Sequence, residues 1–457
     1  MWRKICVEKM IPRIILAGTN SGCGKTTVSC ALLQALVNRG LRPGAFKCGP
    51  DYIDPMFHSR IIGARSANLD SFFFDENTLR TLLAENAAFC GFSIMEGVMG
   101  YYDGLGLDSV KASTYALARI TDSPVVLVVS ARGLSLSVLA VIQGFLSFLP
   151  DSHICGVILN QCSSSMYPAL SKAIMQHFEG KVRPLGYLPV MKECRLESRH
   201  LGLVTAGEVC DLKDKMALLA EQAEKTLKID EILALGNAAS AVKWEPVCFP
   251  KQPESVRIAV ARDSAFCFYY EDSLDALKKM GAELVDFSPL QDSCLPDNIQ
   301  GLYLGGGYPE LYGQQLSQNQ SMRDSIRNAL ENGLPCIAEC GGFMYLTQKI
   351  GTYPMVGFLS GVCTDTGKLT RFGYVTLTAG EDSMLCPKGA SIAAHEFHHW
   401  DCTESGSSFT AEKVSGKSWP CGVVSPTLYA GFPHFHFYAN PDFAVRFYHT
   451  CLKEKYK

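Results

Sequence analysis

Two short stretches, far apart in the chain, carry residue types that do chemistry. The first is Gly18-Thr-Asn-Ser-Gly-Cys-Gly-Lys25-Thr26-Thr27. Glycines let backbone N–H groups turn inward around phosphate oxygens, a lysine meets the β/γ charge, and a hydroxyl reaches a magnesium ion. Gly22, Gly24, Lys25, Thr26 and Thr27 are therefore the expected nucleotide-binding residues. The spacing departs from GxxxxGK[ST]: Thr19 stands six before Lys25, and Gly18, Gly22 and Gly24 supply the turns. The second stretch is Ala338-Glu-Cys340-Gly-Gly342. A thiol at a glycine corner that feeds a helix is exposed above a sheet, and the helix N-terminus favours its thiolate. The first stretch suits a nucleoside triphosphate and the second a covalent acyl intermediate. A chain with both is expected to couple ATP hydrolysis to amide transfer.

Each stretch needs partners. A thiolate nucleophile needs an imidazole, and Gly431-Phe-Pro-His434-Phe-His436-Phe437 offers two. Strand alternation puts His434 and His436 on one face with Phe435 on the other, and only one of the two is expected to reach Cys340. A glycine turn at Gly305-Gly306-Gly307 follows an apolar strand, so N–H groups of Gly306 and Gly341 are the expected oxyanion donors. A second histidine cluster, His395-Glu-Phe-His398-His399, has no metal-typical spacing and reads as structural or substrate-lining. For the nucleotide, Asp51 and Glu96 end or follow apolar strands, where carboxylates face the ligand crevice of a parallel sheet. With Thr26 they are the candidate magnesium ligands. Asp54 and Asp103 are weaker candidates, since a single Asp there is often a turn or cap residue. Asn160, at the end of another apolar run, is a candidate adenine contact.

The elements that must hold these residues alternate between strand and helix. Residues 11–17 read as a buried strand, and 25–39 as a helix with Val28, Ala31, Leu32, Leu36 and Val37 on one spacing. Short apolar runs at 92–95, 125–129 and 156–159 continue the pattern, which implies a parallel sheet with helices on both faces. The pattern weakens after residue 229, and 241–255 contains Pro246, Pro250 and Pro253 without a clear element. It is the expected linker between a nucleotide domain at 1–240 and a second α/β domain at 256–457. In that second domain, strands are expected at 257–261, 283–287, 375–378 and 432–437, and helices at 272–280 and 443–456. Residues 1–10 have no evident role.

At 457 residues, two cores are the default. A hydrophobic content of 47%, a charged content of 19% and a net charge of -3 describe a soluble globular chain, with no electrostatic case for nucleic acid or membrane binding. The 19 cysteines are scattered without a CxxC pair, so they read as small buried residues in a reducing compartment rather than zinc or iron–sulfur ligands. No stretch near the start is long and apolar enough to span a bilayer, and the expected location is the cytoplasm.

Taken together, these residues resemble the cobyrinate a,c-diamide synthase family, the glutamine-dependent amidotransferases of corrinoid synthesis. The resemblance runs through Gly18–Thr27, Lys47–Asp54, Asn68–Phe72, Glu96–Gly104, Arg199–Leu203, Leu304–Glu310, Ala338–Leu346, Thr370–Tyr374, His395–His398 and His434–Phe437. It implies a P-loop ATPase domain of the dethiobiotin-synthetase type followed by a class I glutaminase. It also implies ATP and Mg2+ as cofactors, with small-molecule substrates and a homodimer as the oligomeric state to test. Cys340 would release ammonia from glutamine through a thioester, with His434 favoured over His436 as its base. ATP at Lys25 would convert the a and c carboxylates of cobyrinate in turn to acyl phosphates for ammonia to displace. Hydrogenobyrinate and Ni-sirohydrochlorin are alternative substrates. A cell-wall amidoligase and a partition-type ATPase are the more distant readings. The usual third triad carboxylate is absent from this branch, and no Glu follows His434 at short spacing. Phe432 and Pro433 stand where the family pattern has Tyr and Leu. Tyr52 and Asp54, with the Arg199–His200 pair, fall in segments that resemble the family's substrate side.

Overall fold

The computed structural model describes residues 6–194 and 206–456. Its compact units are Met1–Val247 and Cys248–Lys457. The Arg199–His200 pair lies outside the described residues.

The first unit is built on a seven-stranded parallel sheet. Its spatial order is Arg65–Leu69, Pro43–Cys48, Phe92–Glu96, Arg13–Gly18, Val125–Ser130, Ile154–Asn160 and Arg183–Leu188. Arg13–Gly18 is the middle strand and is buried along its whole length. A strand covered by helices on both faces must be apolar throughout, which is why Ile14, Ile15, Leu16 and Ala17 stand in one unbroken run. The helix Lys25–Asn38 leaves this strand through the glycine loop and buries Val28, Ala31, Leu32 and Leu36. Strand order reverses beside the middle strand, so ligands are expected at the carboxyl ends of Arg13–Gly18, Pro43–Cys48 and Phe92–Glu96.

Two expectations change here. Val242–Trp244, inside the stretch read as a linker without structure, is a strand. It pairs antiparallel with Val7–Lys9, in the N-terminal stretch to which no role was assigned. Three-residue strands carry too little periodicity to show in a sequence; pairing across more than 230 residues of chain creates them. The helix Ile229–Asn237 likewise continues where the apolar pattern looked weak, and it buries Ile229, Ile232 and Gly236.

The second unit has a six-stranded sheet in the order Glu283–Phe287, Arg257–Ala261, Gly301–Leu304, Cys336–Glu339, Leu428–Gly431 and Val423–Ser425. The first five strands are parallel and the last is antiparallel. The last third of the chain, which looked irregular, forms a five-stranded antiparallel sheet. Its order is Ser418–Cys421, Phe409–Glu412, Arg371–Ala379, Ser391–His398 and His434–Phe435. The final helix is Pro441–Glu454. Residues 432–437 are not one strand: Gly431 ends the parallel sheet, only His434 and Phe435 pair in the antiparallel one, and a 3₁₀ turn begins at Phe437. Pro433 falls in the connection, where its missing N–H costs no ladder bond.

Candidate active site

In the second unit, the strand Cys336–Glu339 runs straight into the helix Gly341–Leu346, with Cys340 as the residue between them. Cys340 has φ 47° and ψ -102°, a conformation that a side chain normally avoids. Its N–H donates to Gly431 O at 2.7 Å, which ties the strained turn to the next strand. This is the geometry of a nucleophile elbow. The first-turn N–H groups of the following helix have no intrahelical partners.

The parallel register pairs Glu339 with Gly431, so the chain leaving Gly431 delivers His434 beside the elbow. His434 Nδ1 lies 3.3 Å from Glu339 Oε2, and both side chains are buried. The other side of the ring faces Cys340: burial alone would push His434 down, but the Cys340 charge and hydrogen bond, together with Glu339, hold it up to about 10. His434 thus stands between the Cys340 thiol and the Glu339 carboxyl, the arrangement of a candidate Cys–His–Glu triad. No Glu follows His434 at short spacing, and the carboxylate that meets its ring is Glu339, a candidate third member. Sequence reasoning searched downstream of the histidine, whereas this Glu immediately precedes the nucleophile. Its signal was a buried Glu at the end of an apolar strand, the same cue that singled out Glu96.

His436 is buried in a different setting. It caps the 3₁₀ turn by accepting from Tyr438 N at 3.2 Å, and its ring centroid is 4.9 Å from that of Tyr270. The turn after the strand breaks the alternation that would have placed it beside His434. Gly306 lies flat against His434: a Cβ there would sit 2.4 Å from Cε1, so no larger residue fits. The backbone nitrogen that the glycine turn brings close to Gly341 is that of Gly307, 3.1 Å from where a Gly341 Cβ would be. The candidate oxyanion donors from this turn therefore extend to Gly307.

In the first unit, Gly22 and Gly24 have φ of 81° and 96°, the left-handed geometry that turns backbone N–H groups into a loop interior. Lys25 Nζ donates to Asn20 O at 3.2 Å and Met99 O at 2.5 Å, and burial lowers its pKa. Thr26 Oγ1 donates to Glu96 Oε1 at 2.7 Å, and Thr27 is half-buried in the same first helical turn. Asn160, the candidate adenine contact, donates to Cys23 O at 2.9 Å and packs against Gly24, so it braces the loop.

Beside the loop, the candidate carboxylates join a charge cluster with two residues to which the sequence assigned no role, Lys47 and His58. Lys47 Nζ lies 2.9 Å from Glu96 Oε1 and 2.5 Å from Asp54 Oδ2, with all three side chains largely buried. Burial alone would raise Glu96, but Lys47 and His58 hold it down at about 2. His58 Nε2 is 3.8 Å from Glu96 Oε2, and burial lowers the His58 pKa. Asp51 accepts from Ile53 N at 2.9 Å, and burial with the neighbouring Asp54 charge pushes it up to about 7. Tyr52 is buried at the start of the short helix Ile53–Phe57. Asp103 accepts from Gly100 N at 2.7 Å and is a turn residue. For magnesium, the residues fit in part. Thr26 and Glu96 come together, but among the described residues no three His, Cys, Asp or Glu side chains form a metal cluster. Magnesium bound through phosphate and water needs only one or two protein groups, so this pair suffices as a donor set.

Residues 14–204 match the CobQ/CobB/MinD/ParA nucleotide binding domain, and residues 257–442 match the CobB/CobQ-like glutamine amidotransferase domain. The cobyrinate a,c-diamide synthase of Clostridium acetobutylicum is 42% identical to this chain, over 94% of this chain and 98% of that one. The chain belongs to the cobyrinate a,c-diamide synthase family. Further members include that of Listeria monocytogenes serotype 4b, 40% identical over 94% of this chain and 97% of its own. The Priestia megaterium member is 36% identical over 97% and 98%. The family's two halves, nucleotide-binding and glutamine amidotransferase, correspond to the two units described above. Among the described residues, no helix is long and apolar enough to cross a membrane.

Proposed function

We propose that this chain amidates the a and c carboxylate side chains of cobyrinate, using ammonia from glutamine and activation by ATP. The observation that carries this reading is the buried contact of His434 with Glu339, immediately before Cys340, in a chain that also holds the Lys25 loop. Cys340 thiolate attacks the amide carbon of glutamine, and the backbone N–H groups around Gly341 and Gly307 face the developing oxyanion. The C–N bond breaks as the His434 proton passes to the leaving nitrogen, so ammonia departs and a thioester remains. Water then hydrolyses the thioester to glutamate.

Activation of a carboxylate is the task of the first unit. A carboxylate resists nucleophiles because its oxygen is a poor leaving group; transfer of the γ-phosphoryl gives an acyl phosphate, and ammonia displaces phosphate from it. Gly22, Gly24, Lys25, Thr26 and Thr27 hold the phosphates. Magnesium, held through Thr26 and Glu96 with Asp51 nearby, would neutralise phosphate charge when bound. Lys47 offsets Glu96 and Asp54, which lets a second anion approach a site already lined with carboxylates. Tyr52 and Asp54, in the segment that follows Pro43–Cys48, are the residues proposed to meet such a substrate acid.

The test is a mass-spectrometric count of amidations with ATP, glutamine and a panel of cobyrinate, hydrogenobyrinate and Ni-sirohydrochlorin. Two additions to cobyrinate, with glutamate and ADP formed in step, are expected. A preference for either of the other acids would move the reading to that substrate. A chain that releases no glutamate from glutamine would instead fit a partition-type ATPase, which needs no thiol elbow.

A further inference from the structure

The histidine cluster that begins at His395 remained without a role in the sequence, and its members divide between the two faces of the strand Ser391–His398. Glu396 and His398 point inward. His398 Nε2 is 3.3 Å from Glu396 Oε2, Trp419 Nε1 donates to Glu396 Oε1 at 3.3 Å, and the His398 ring stacks on Phe432 at 3.9 Å. That network is a satisfied structural core. His395 points the other way, and the antiparallel register places it directly opposite His434 on one side and Tyr374 on the other. Directly opposed residues on one face have Cβ atoms about 4.5–5.5 Å apart. Tyr374, His395 and His434 therefore form one row across three strands, ending at the base of the Cys340 site. Phe372 closes the row above His395, with ring centroids 6.3 Å apart.

His395 Nδ1 is buried and has no hydrogen-bond partner. An unsatisfied buried imidazole nitrogen is costly and rare, and this one stands directly across the strand pair from His434. The charged groups that act on it are His434 on the neighbouring strand and Lys413; with burial, which dominates, they push His395 down to about 3. The ring is thus uncharged, and the tautomer with its proton on Nε2 leaves Nδ1 free to accept.

Resting on the glutaminase reading above, we propose that His395 is the ammonia acceptor of that site. Its neutral imidazole takes a hydrogen bond from the amide nitrogen of glutamine as Cys340 attacks, and keeps hold of the nitrogen after the C–N bond breaks. The single proton transferred comes from His434, which leaves NH3. A charged imidazole at the His395 position would supply a second proton and give ammonium, which has no lone pair for the next step.

The test compares His395→Ala, His395→Asn and the unaltered chain for glutamate released per amide formed, with glutamine or with ammonium chloride as nitrogen source. Loss of one hydrogen bond predicts about a tenfold fall in kcat/KM for glutamine. The ratio of glutamate to amide should also rise above one, with partial recovery in His395→Asn, which keeps an acceptor. Ammonium chloride should restore amidation to the unaltered rate. A ratio that stays at one in His395→Ala, or an equal loss with both nitrogen sources, overturns the proposal. If the unaltered chain releases no glutamate, the glutaminase reading itself fails, and this inference fails with it.

Discussion

The two sites solve the problem of buried charge in different ways. At the phosphate loop, the ionisable groups Lys25, Lys47, Asp51, Asp54, His58 and Glu96 act on one another, and Glu96 is shared between Thr26 and Lys47. Around Cys340 the set is smaller: one thiol, the His434 imidazole and one carboxylate, two of them adjacent in sequence, with the neutral His395 opposite His434. A phosphate site must accept several negative charges and release them, so its charges are spread and replaceable. A thiolate site must hold one proton in one place, so each member is indispensable and its neighbours are apolar, as with Phe343 and Phe432.

That contrast can be broken most sharply at the nucleophile. Cys340→Ala should lower glutamine-dependent amidation by at least about 10³-fold while ammonium chloride still supports it, measured as amide formed per minute. Lys47→Met should act in the opposite sense. With Glu96 and Asp54 deprived of their shared lysine, amidation from both nitrogen sources should fall by about 10²-fold, and the unfolding free energy in denaturant titrations should drop by about 3–5 kcal/mol. Equal loss in the Cys340 variant, or selective loss in the Lys47 variant, would erase the distinction between the sites.

The triad itself is sharpened by pH. His434 binds its proton more tightly when folded, at about 10 against 6.5, so the stability it adds is full below 6.5 and is lost as pH rises through about 10. Glutamine hydrolysis should therefore hold until an alkaline limb near 10. Glu339→Gln should move that limb to lower pH and cost about 10- to 100-fold in kcat, as expected for a hydrogen bond to a charged group. An unmoved limb would remove Glu339 from the triad. The smallest effect is expected away from both sites: Val242→Ala, in the strand paired with Val7–Lys9, should cost about 1–2 kcal/mol in thermal unfolding with both activities kept.

Residues that act through their immediate neighbours were legible in the chain. Gly22, Gly24 and Lys25 announce a phosphate loop because strand, turn and helix follow one another without interruption. Cys340 announces an elbow for the same reason, and the apolar runs of the parallel sheets could be read because a strand buried on both faces must be apolar throughout. What remained open depended on register between distant strands. The pairing of Glu339 with Gly431 brought His434, rather than His436, against Glu339 and so made that Glu a candidate third member of the triad. Likewise, the pairing of His395 with His434 turned one histidine of a cluster toward the site and left His398 in the core. Local sequence determines backbone conformation over a few residues; which side chains meet across a sheet is decided by hydrogen-bonded register, where a shift of one residue reverses every face.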